Sequence, residues 1–152
     1  FVPVSLRQAV ERVLRAYEPL AEAQRLRIRT AFPAADLQVF GLEELLVELL
    51  GNLLDNALRH TPAGGTIQID VAELPGGDAC VAVVDGGPGI PSAHAQTIFE
   101  RFVQIPGSKT GTTGLGLPLA AEIARLHGGK LKLANPGQPG ARFECRLPRA
   151  RP

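Results

Sequence analysis

Asn52-Leu53-Leu54-Asp55-Asn56-Ala57-Leu58-Arg59-His60 places two amides four residues apart, on one face of a helix. Leu53, Leu54 and Ala57 fall on another face. Upstream, Leu42, Leu45, Leu46, Leu49 and Leu50 extend the apolar stripe, so one long amphipathic helix is predicted. Thr61-Pro62 and Gly64-Gly65 end it. Paired amides, with Arg59 and His60 a turn later, suit a hydrated cation and phosphate oxygens. Mg²⁺ keeps several waters and accepts an amide carbonyl beside phosphate oxygens. A polar stripe facing water fits the same residues, and the helix alone does not choose. Asp55 reads as a solvated or hydrogen-bonded residue rather than a ligand.

Outward from that helix, the pattern alternates between helix and strand. Ser5 with Gln8 three residues later forms a capping box. A stripe at Leu6, Ala9, Val10, Val13, Leu14 and Tyr17 predicts a first helix, which Pro19 should kink or break before Gln24. Residues 28–32 and 37–40 read as short strands around a turn at Pro33. Ile67, Ile69 and Val71 alternate as in a half-buried strand, and the apolar run 81–84 fits a central one. A short helix is expected over 92–102, a mobile loop over 103–113, and a helix over 115–126 that stops at Gly128-Gly129. Strands at 131–134 and 142–147 flank a turn at 135–140. The order predicts a two-layer α/β sandwich, one sheet face covered by helices.

Two further stretches carry chemistry. Val83-Val84-Asp85-Gly86-Gly87-Pro88-Gly89-Ile90 ends a buried strand in a carboxylate followed by glycines. Such a carboxylate can accept a hydrogen bond from an exocyclic amine such as that of adenine. Gly87 and Gly89 let backbone and ligand approach closely, and Ile90 offers an apolar wall. A plain glycine-rich turn fits the stretch as well. The second stretch, Gly111-Thr112-Thr113-Gly114-Leu115-Gly116-Leu117, opens a helix, where free N–H groups and the positive dipole end attract an anion. Gly107-Ser108-Lys109-Thr110 is not a P-loop, because glycine must directly precede the lysine. Neither glycine cluster completes G-x-G-x-x-G.

Taken in order, the paired asparagines, Asp85-x-Gly87-x-Gly89, Phe99-Glu100-Arg101-Phe102, a loop and Gly114-x-Gly116 resemble the ATP-binding domain of sensor histidine kinases. The segments are similar to that family's N, G1, F and G2 boxes and cover nearly the whole chain. The wider superfamily includes gyrase-type topoisomerases, a heat-shock chaperone and mismatch-repair ATPases. The resemblance implies a Bergerat fold, a mixed sheet of about five strands under about three helices. It implies that Asp85 binds adenine, that Gly87 and Gly89 are close-approach glycines, and that Asn56 and Asn52 ligate Mg²⁺ or contact phosphate. Arg59 and His60 would face phosphates, Gly114 and Gly116 would cradle them with Thr113, Leu115 and Leu117 alongside, and 103–113 would be the ATP lid. Lys109 is the candidate lid cation and, with Asn52 and Asn56, the candidate catalytic set. Phe102 would border the nucleotide, and Phe99 would anchor the lid by packing. One departure is Gly41-Leu42, where many relatives have Gly-Asp; a local change is expected there.

The implied activity is transfer of the γ-phosphate of Mg-ATP to a histidine on a separate helical dimerisation domain, with a response regulator downstream. None of His60, His94 or His127 is followed by an acidic residue, as the family's acceptor is. His94 reads as a surface helix residue, and His127 as a partly positive ring meeting free carbonyls at a helix end. A gyrase- or chaperone-type ATPase is the alternative. Those relatives carry a general-base Glu where this chain has Asn52, and an amide cannot take a proton from water. Glu48 lies one turn earlier. A non-catalytic binding module is the third option.

Composition is compatible with all three. The 152 residues suit one domain spanning 1–152. A net charge of +1 gives no argument for nucleic acid or an anionic membrane, and no direct membrane contact is expected. Cys80 and Cys145 lie in strand-like runs, as small buried hydrophobes of a reducing compartment. The chain starts at Phe1 and has no Met, so a piece excised from a longer protein is expected. The resemblance implies a membrane-anchored sensor as the parent, with this domain cytoplasmic and monomeric in isolation.

Overall fold

The computed structural model describes residues 1–100 and 116–150. Its first element is a short strand that sequence periodicity does not signal, β1 (Val2–Ser5). Helix α1 (Leu6–Ala23) follows at once, because the Ser5 hydroxyl accepts the Gln8 N–H at 3.2 Å and caps it. The expected break at Pro19 is not seen: the helix continues to Ala23. Pro19 and Arg15, whose carbonyl loses its partner, are both exposed, so water can reach the orphaned oxygen.

Strand β2 (Arg27–Ala31) and strand β3 (Gln38–Gly41) do not pair with each other across Pro33. β3 pairs antiparallel with β1 in a separate two-stranded sheet. β2 joins the main sheet, parallel to β4 (Thr66–Glu73). Between them runs α2 (Glu43–His60), the long amphipathic helix predicted from its leucines. β5 (Ala79–Val84) follows β4, and 3₁₀ turns at Ser92–His94 and Thr97–Phe99 replace the helix expected over the described part of 92–102. In those turns the N–H groups of Ala95 and Glu100 bond three residues back. Helix α3 (Gly116–Leu126), β6 (Lys130–Leu133) and β7 (Arg142–Leu147) complete the chain.

The main sheet has the order β2-β4-β5-β7-β6, and every pairing except β2–β4 is antiparallel. β5 is central, as its apolar run implies. The two sheet faces differ in chemistry. Ile67, Ile69, Val81, Val83, Phe143, Cys145 and Leu147 are buried in one core with Leu6, Val10, Leu46, Leu53 and Ile123 of the helices. The opposite face carries Arg142, which pairs with Glu144 at 2.7 Å and Asp70 at 3.3 Å. Three helices and five strands therefore form the expected two-layer sandwich, with the polar sheet face outward. Cys80 and Cys145 are buried and free, and burial pushes the Cys145 thiol up to about 12.

His127 departs from the reading as a partly positive ring. It is 6% exposed, its Nδ1 lies 2.8 Å from the Ile123 carbonyl, and its Nε2 accepts the Leu42 N–H at 3.2 Å. An accepting Nε2 carries no proton, so Nδ1 is the donor. The ring thus joins the end of α3 to the start of α2. Leu42 caps α2 without a side-chain bond, which is the local change expected where Asp is replaced. A Cβ on Gly41 would come within 2.3 Å of the ring, so only glycine lets the histidine sit there.

Candidate functional site

The last turns of α2, the end of β5 and the start of α3 carry the chemistry-bearing residues. Along α2, Asn56 is buried and Asn52 half-buried. Asn52 Nδ2 and Arg59 Nε are buried atoms that have no partner among the described residues. Such donors are costly unless something outside the described residues bonds them. Asn52 also lines a groove of about 380 Å³ between α1 and α2, together with Tyr17 and Glu48. Asp55 is exposed and bonds Tyr17 rather than pointing to a ligand role. Burial, then the Asp55 charge and hydrogen bond, push the Tyr17 phenol up to about 12.

Asp85 follows the last residue of β5 and is 6% exposed. Its Oδ1 accepts two backbone N–H groups, Gly87 at 2.8 Å and Ala141 at 3.1 Å. Burial raises its pKa; the two N–H bonds and the His60 charge oppose that shift without cancelling it. A buried carboxylate, held on one oxygen by the backbone, is an oriented acceptor.

The glycines beside it also lie close to this chain's own backbone. A Cβ on Gly87 would lie 2.6 Å from the His60 carbonyl oxygen. Gly89 has φ +87°, and a Cβ there would come 1.9 Å from the Gln138 carbonyl oxygen. Both close approaches are therefore to this chain's own backbone, and the ligand need not be the reason for either glycine. Gly116 is the opposite case: an added Cβ meets nothing within 4 Å among the described residues. It opens α3, and Leu117 follows it, partly buried. Ile90 is buried with the core, and its carbonyl accepts the Gly137 N–H at 2.7 Å. Phe99 packs edge-on against Phe143, as a packing role requires. His94 sits in a 3₁₀ turn, half-buried, not on a surface helix. Phe102, Lys109, Thr113, Gly114 and Leu115, and with them the loop 103–113, lie outside the described residues.

Two contributors were not evident from sequence. Thr61 reads there only as a helix stop. In the fold its hydroxyl donates to the Ala57 carbonyl at 2.7 Å and accepts the Gly86 N–H at 3.0 Å, fastening the Asp85 loop to the end of α2. The turn 135–140 reads as a plain connection, yet Ala141, the residue directly after it, supplies an N–H to Asp85. A threonine directly after a helix whose last turn carries candidate ligands was the available signal for the first. The second had none, because it joins segments far apart in sequence.

Residues 41–151 match the family of histidine kinase-, DNA gyrase B-, and HSP90-like ATPases. The chain is 42% identical over 145 residues to the alginate biosynthesis sensor protein KinB of Pseudomonas aeruginosa, covering 94% of this chain and 23% of that protein. It thus spans about a quarter of that relative's length. Among solved structures, the mycobacterial sensor histidine kinase MprB superposes with a TM-score of 0.85 at 28% identity, covering 97% of each chain. Full-length ShkA in complex with AMPPNP gives a TM-score of 0.84 at 28% identity, covering 99% of this chain and 31% of that one.

Proposed function

The chain belongs to the histidine kinase-, DNA gyrase B-, and HSP90-like ATPases, and we propose that it is the nucleotide-binding half of a sensor histidine kinase. In this reading it binds Mg-ATP and presents the γ-phosphate to a histidine on a separate helical dimerisation domain. A response regulator receives the phosphate downstream. Residues 1–152 act as one catalytic domain, monomeric alone and cytoplasmic within a membrane-anchored parent. Among the described residues no helix is long and apolar enough to cross a membrane.

The observation that carries this reading is Asp85, buried at the end of the central strand with Oδ1 held by two N–H groups. Oδ2 is the oxygen we assign to the exocyclic amine of adenine. The unpartnered Asn52 Nδ2 and Arg59 Nε fit phosphate oxygens, which bond such donors. Asn56 is the assigned Mg²⁺ ligand, with Asn52 beside it. The start of α3 at Gly116, where an added Cβ meets nothing within 4 Å among the described residues, fits an anion at the positive end of the helix. Mg²⁺, when bound, offsets phosphate charge as the phosphoryl group leaves. The chain itself orients the base through Asp85 and stabilises charge through α2 and α3. It holds no base at Asn52 to activate water, and the nucleophile comes from the partner domain.

Calorimetric titration with ATP, with Mg²⁺ and with EDTA, tests binding. Incubation with γ-labelled ATP tests transfer. The chain alone should take no label, and adding the parent's helical domain as a second polypeptide should produce acid-labile label on that domain. Stoichiometric label on this chain refutes the reading. Rapid phosphate release without label establishes the hydrolase instead, with Glu48 the first residue to replace.

A further inference from the structure

The turn between β6 and β7 is fastened to the Asp85 loop far more tightly than a connection needs. Four hydrogen bonds run between them: Asp85 N–H to the Ala141 carbonyl at 3.0 Å, Ala141 N–H to Asp85 Oδ1 at 3.1 Å, Gly140 N–H to the Gly87 carbonyl at 2.8 Å, and Gly137 N–H to the Ile90 carbonyl at 2.7 Å. Asp85, Gly87 and Ile90 are thereby tied to the turn. The contact between Gly89 and Gln138, too close for any Cβ, belongs to the same seam.

Within the turn one side chain holds the rest. Asn135 Nδ2 donates to the Gly140 carbonyl at 2.7 Å, and Asn135 Oδ1 accepts the Arg142 N–H at 2.8 Å. The carboxamide thus imitates a peptide group across the hairpin and brackets Ala141 from both sides. Gly140, at φ +74°, is the flexible neighbour that such a bracket must restrain. Ala141 is the residue whose N–H sets the orientation of the Asp85 carboxylate.

We propose that Asn135 is a positioning residue for recognition of the adenine base, acting through Ala141 on the Asp85 carboxylate. The proposal rests on the nucleotide reading of Asp85 and adds to it the residue that pre-aims the acceptor. Without the carboxamide, the Gly140 carbonyl and the Arg142 N–H on either side of Ala141 lose their partner. The bonds from the Asp85 N–H to the Ala141 carbonyl and from the Gly140 N–H to the Gly87 carbonyl keep the seam closed, but the Ala141 N–H is held against Oδ1 less firmly, which loosens the aim of the carboxylate. The cost of orienting it moves from folding to the binding step. That cost falls on ligands that use the acceptor, and not on ligands held through phosphate alone.

Asn135→Ala is therefore measured for affinity toward ATP, ITP and inorganic triphosphate, with the urea unfolding midpoint recorded alongside. ITP carries an oxygen where adenine carries its amine. The variant should bind ATP about tenfold more weakly, the scale of one well-made hydrogen bond. Its affinity for triphosphate and for ITP should move less than about twofold on the same scale, so the ATP-to-ITP preference narrows. An equal loss for all three ligands, or an unchanged preference, overturns the proposal and leaves Asn135 a structural residue. If Asn135→Ala does not fold, Asn135→Asp and Asn135→Ser are judged by the same preference. Asp keeps the acceptor for the Arg142 N–H but sets an oxygen against the Gly140 carbonyl. An unchanged chain that binds no ATP, or binds ATP and ITP alike, refutes the nucleotide reading itself; a discriminating chain with an indifferent Asn135→Ala refutes only the role of Asn135.

Discussion

Replacing Asp85 with asparagine changes one atom, and the structure determines which. Oδ1 accepts N–H groups from Gly87 at 2.8 Å and Ala141 at 3.1 Å. An asparagine keeps both bonds only with its oxygen on that side. Flipping it would set NH₂ against two N–H donors. The amide nitrogen must then stand where Oδ2 stood, donor against the donor amine of adenine. Losing a hydrogen bond to a charged group costs about 1.5–3 kcal/mol, and leaving opposed buried donors unsatisfied costs about 1–3 more. A loss of about 3–5 kcal/mol lowers ATP affinity by roughly 10² to 10⁴. The fold should not suffer. Burial raises the pKa of Asp85 above its ordinary 3.8, so the native state binds that proton more tightly than the unfolded state does. The corresponding stability is present below the unfolded-state pKa and is lost as pH rises through the higher folded-state value. At neutral pH the neutral asparagine should therefore be at least as stable as the parent, and the difference should shrink as pH falls. Binding behaves oppositely in the parent, since the base needs the ionised carboxylate: ATP affinity should decline with falling pH, starting above the usual aspartate range. Calorimetry and urea unfolding, followed from neutral pH down through the carboxylate range, measure both. Unchanged ATP affinity in Asp85→Asn removes the residue from the site. A large loss of stability at neutral pH refutes the assignment of its bonds.

Asn56→Ala should weaken Mg-ATP more than metal-free ATP, because a lost ligand removes only the metal-dependent part of binding; titrations in Mg²⁺ and in EDTA should converge in the variant, and equal losses in both make Asn56 structural. Thr61→Val keeps the side chain's shape but removes the hydroxyl that joins Ala57 and Gly86, so unfolding should cost about 1–3 kcal/mol less, read from the urea midpoint. Gly89→Ala should disrupt the fold, because its Cβ would meet the Gln138 carbonyl and its φ is +87°. Gly116→Ala should leave the unfolding midpoint in place and weaken triphosphate binding instead; a shift in stability without a change in affinity would refute the anion site at α3.

The parts of the fold legible in sequence are those set by local periodicity. The leucine stripe of α2 and the alternation of Ile67, Ile69 and Val71 need no distant information, and both elements are where the pattern puts them. β1 escaped because four residues containing Pro3 have no period to detect, and the strand exists only by pairing with β3. β2 is mostly exposed and joins β4 in parallel, so nothing near it in sequence announces that neighbour. Pro19 misled because the cost of a helical proline depends on whether water can reach the orphaned carbonyl, which is a property of the fold. Asp85 was legible as a carboxylate at a strand end. The fit of Gly87 and Gly89 against His60 and Gln138 was not, since it arises where α2 and the β6–β7 turn meet the Asp85 loop.

Those meeting points divide the polar groups of the site into two sets. Thr61, Asn135 and Asp85 Oδ1 each form two bonds within the chain, and each bond joins or braces a segment against the Asp85 loop. Asn52 Nδ2 and Arg59 Nε, on the helix that borders the same loop, are buried and unpartnered among the described residues. A fold selected for stability alone would pair those donors or replace them with apolar groups, since an unsatisfied buried donor costs about 1–3 kcal/mol. The saturated set makes the loop rigid, and rigidity is what lets a single carboxylate oxygen discriminate one base from another. The unsaturated set leaves donors that an anion can bond. On the proposed reading, base recognition and phosphate recognition rest on different residues, and the variants above should separate them: changes at Asp85 and Asn135 should alter which nucleotide binds, while changes at Asn56 and Gly116 should alter how tightly any triphosphate is held.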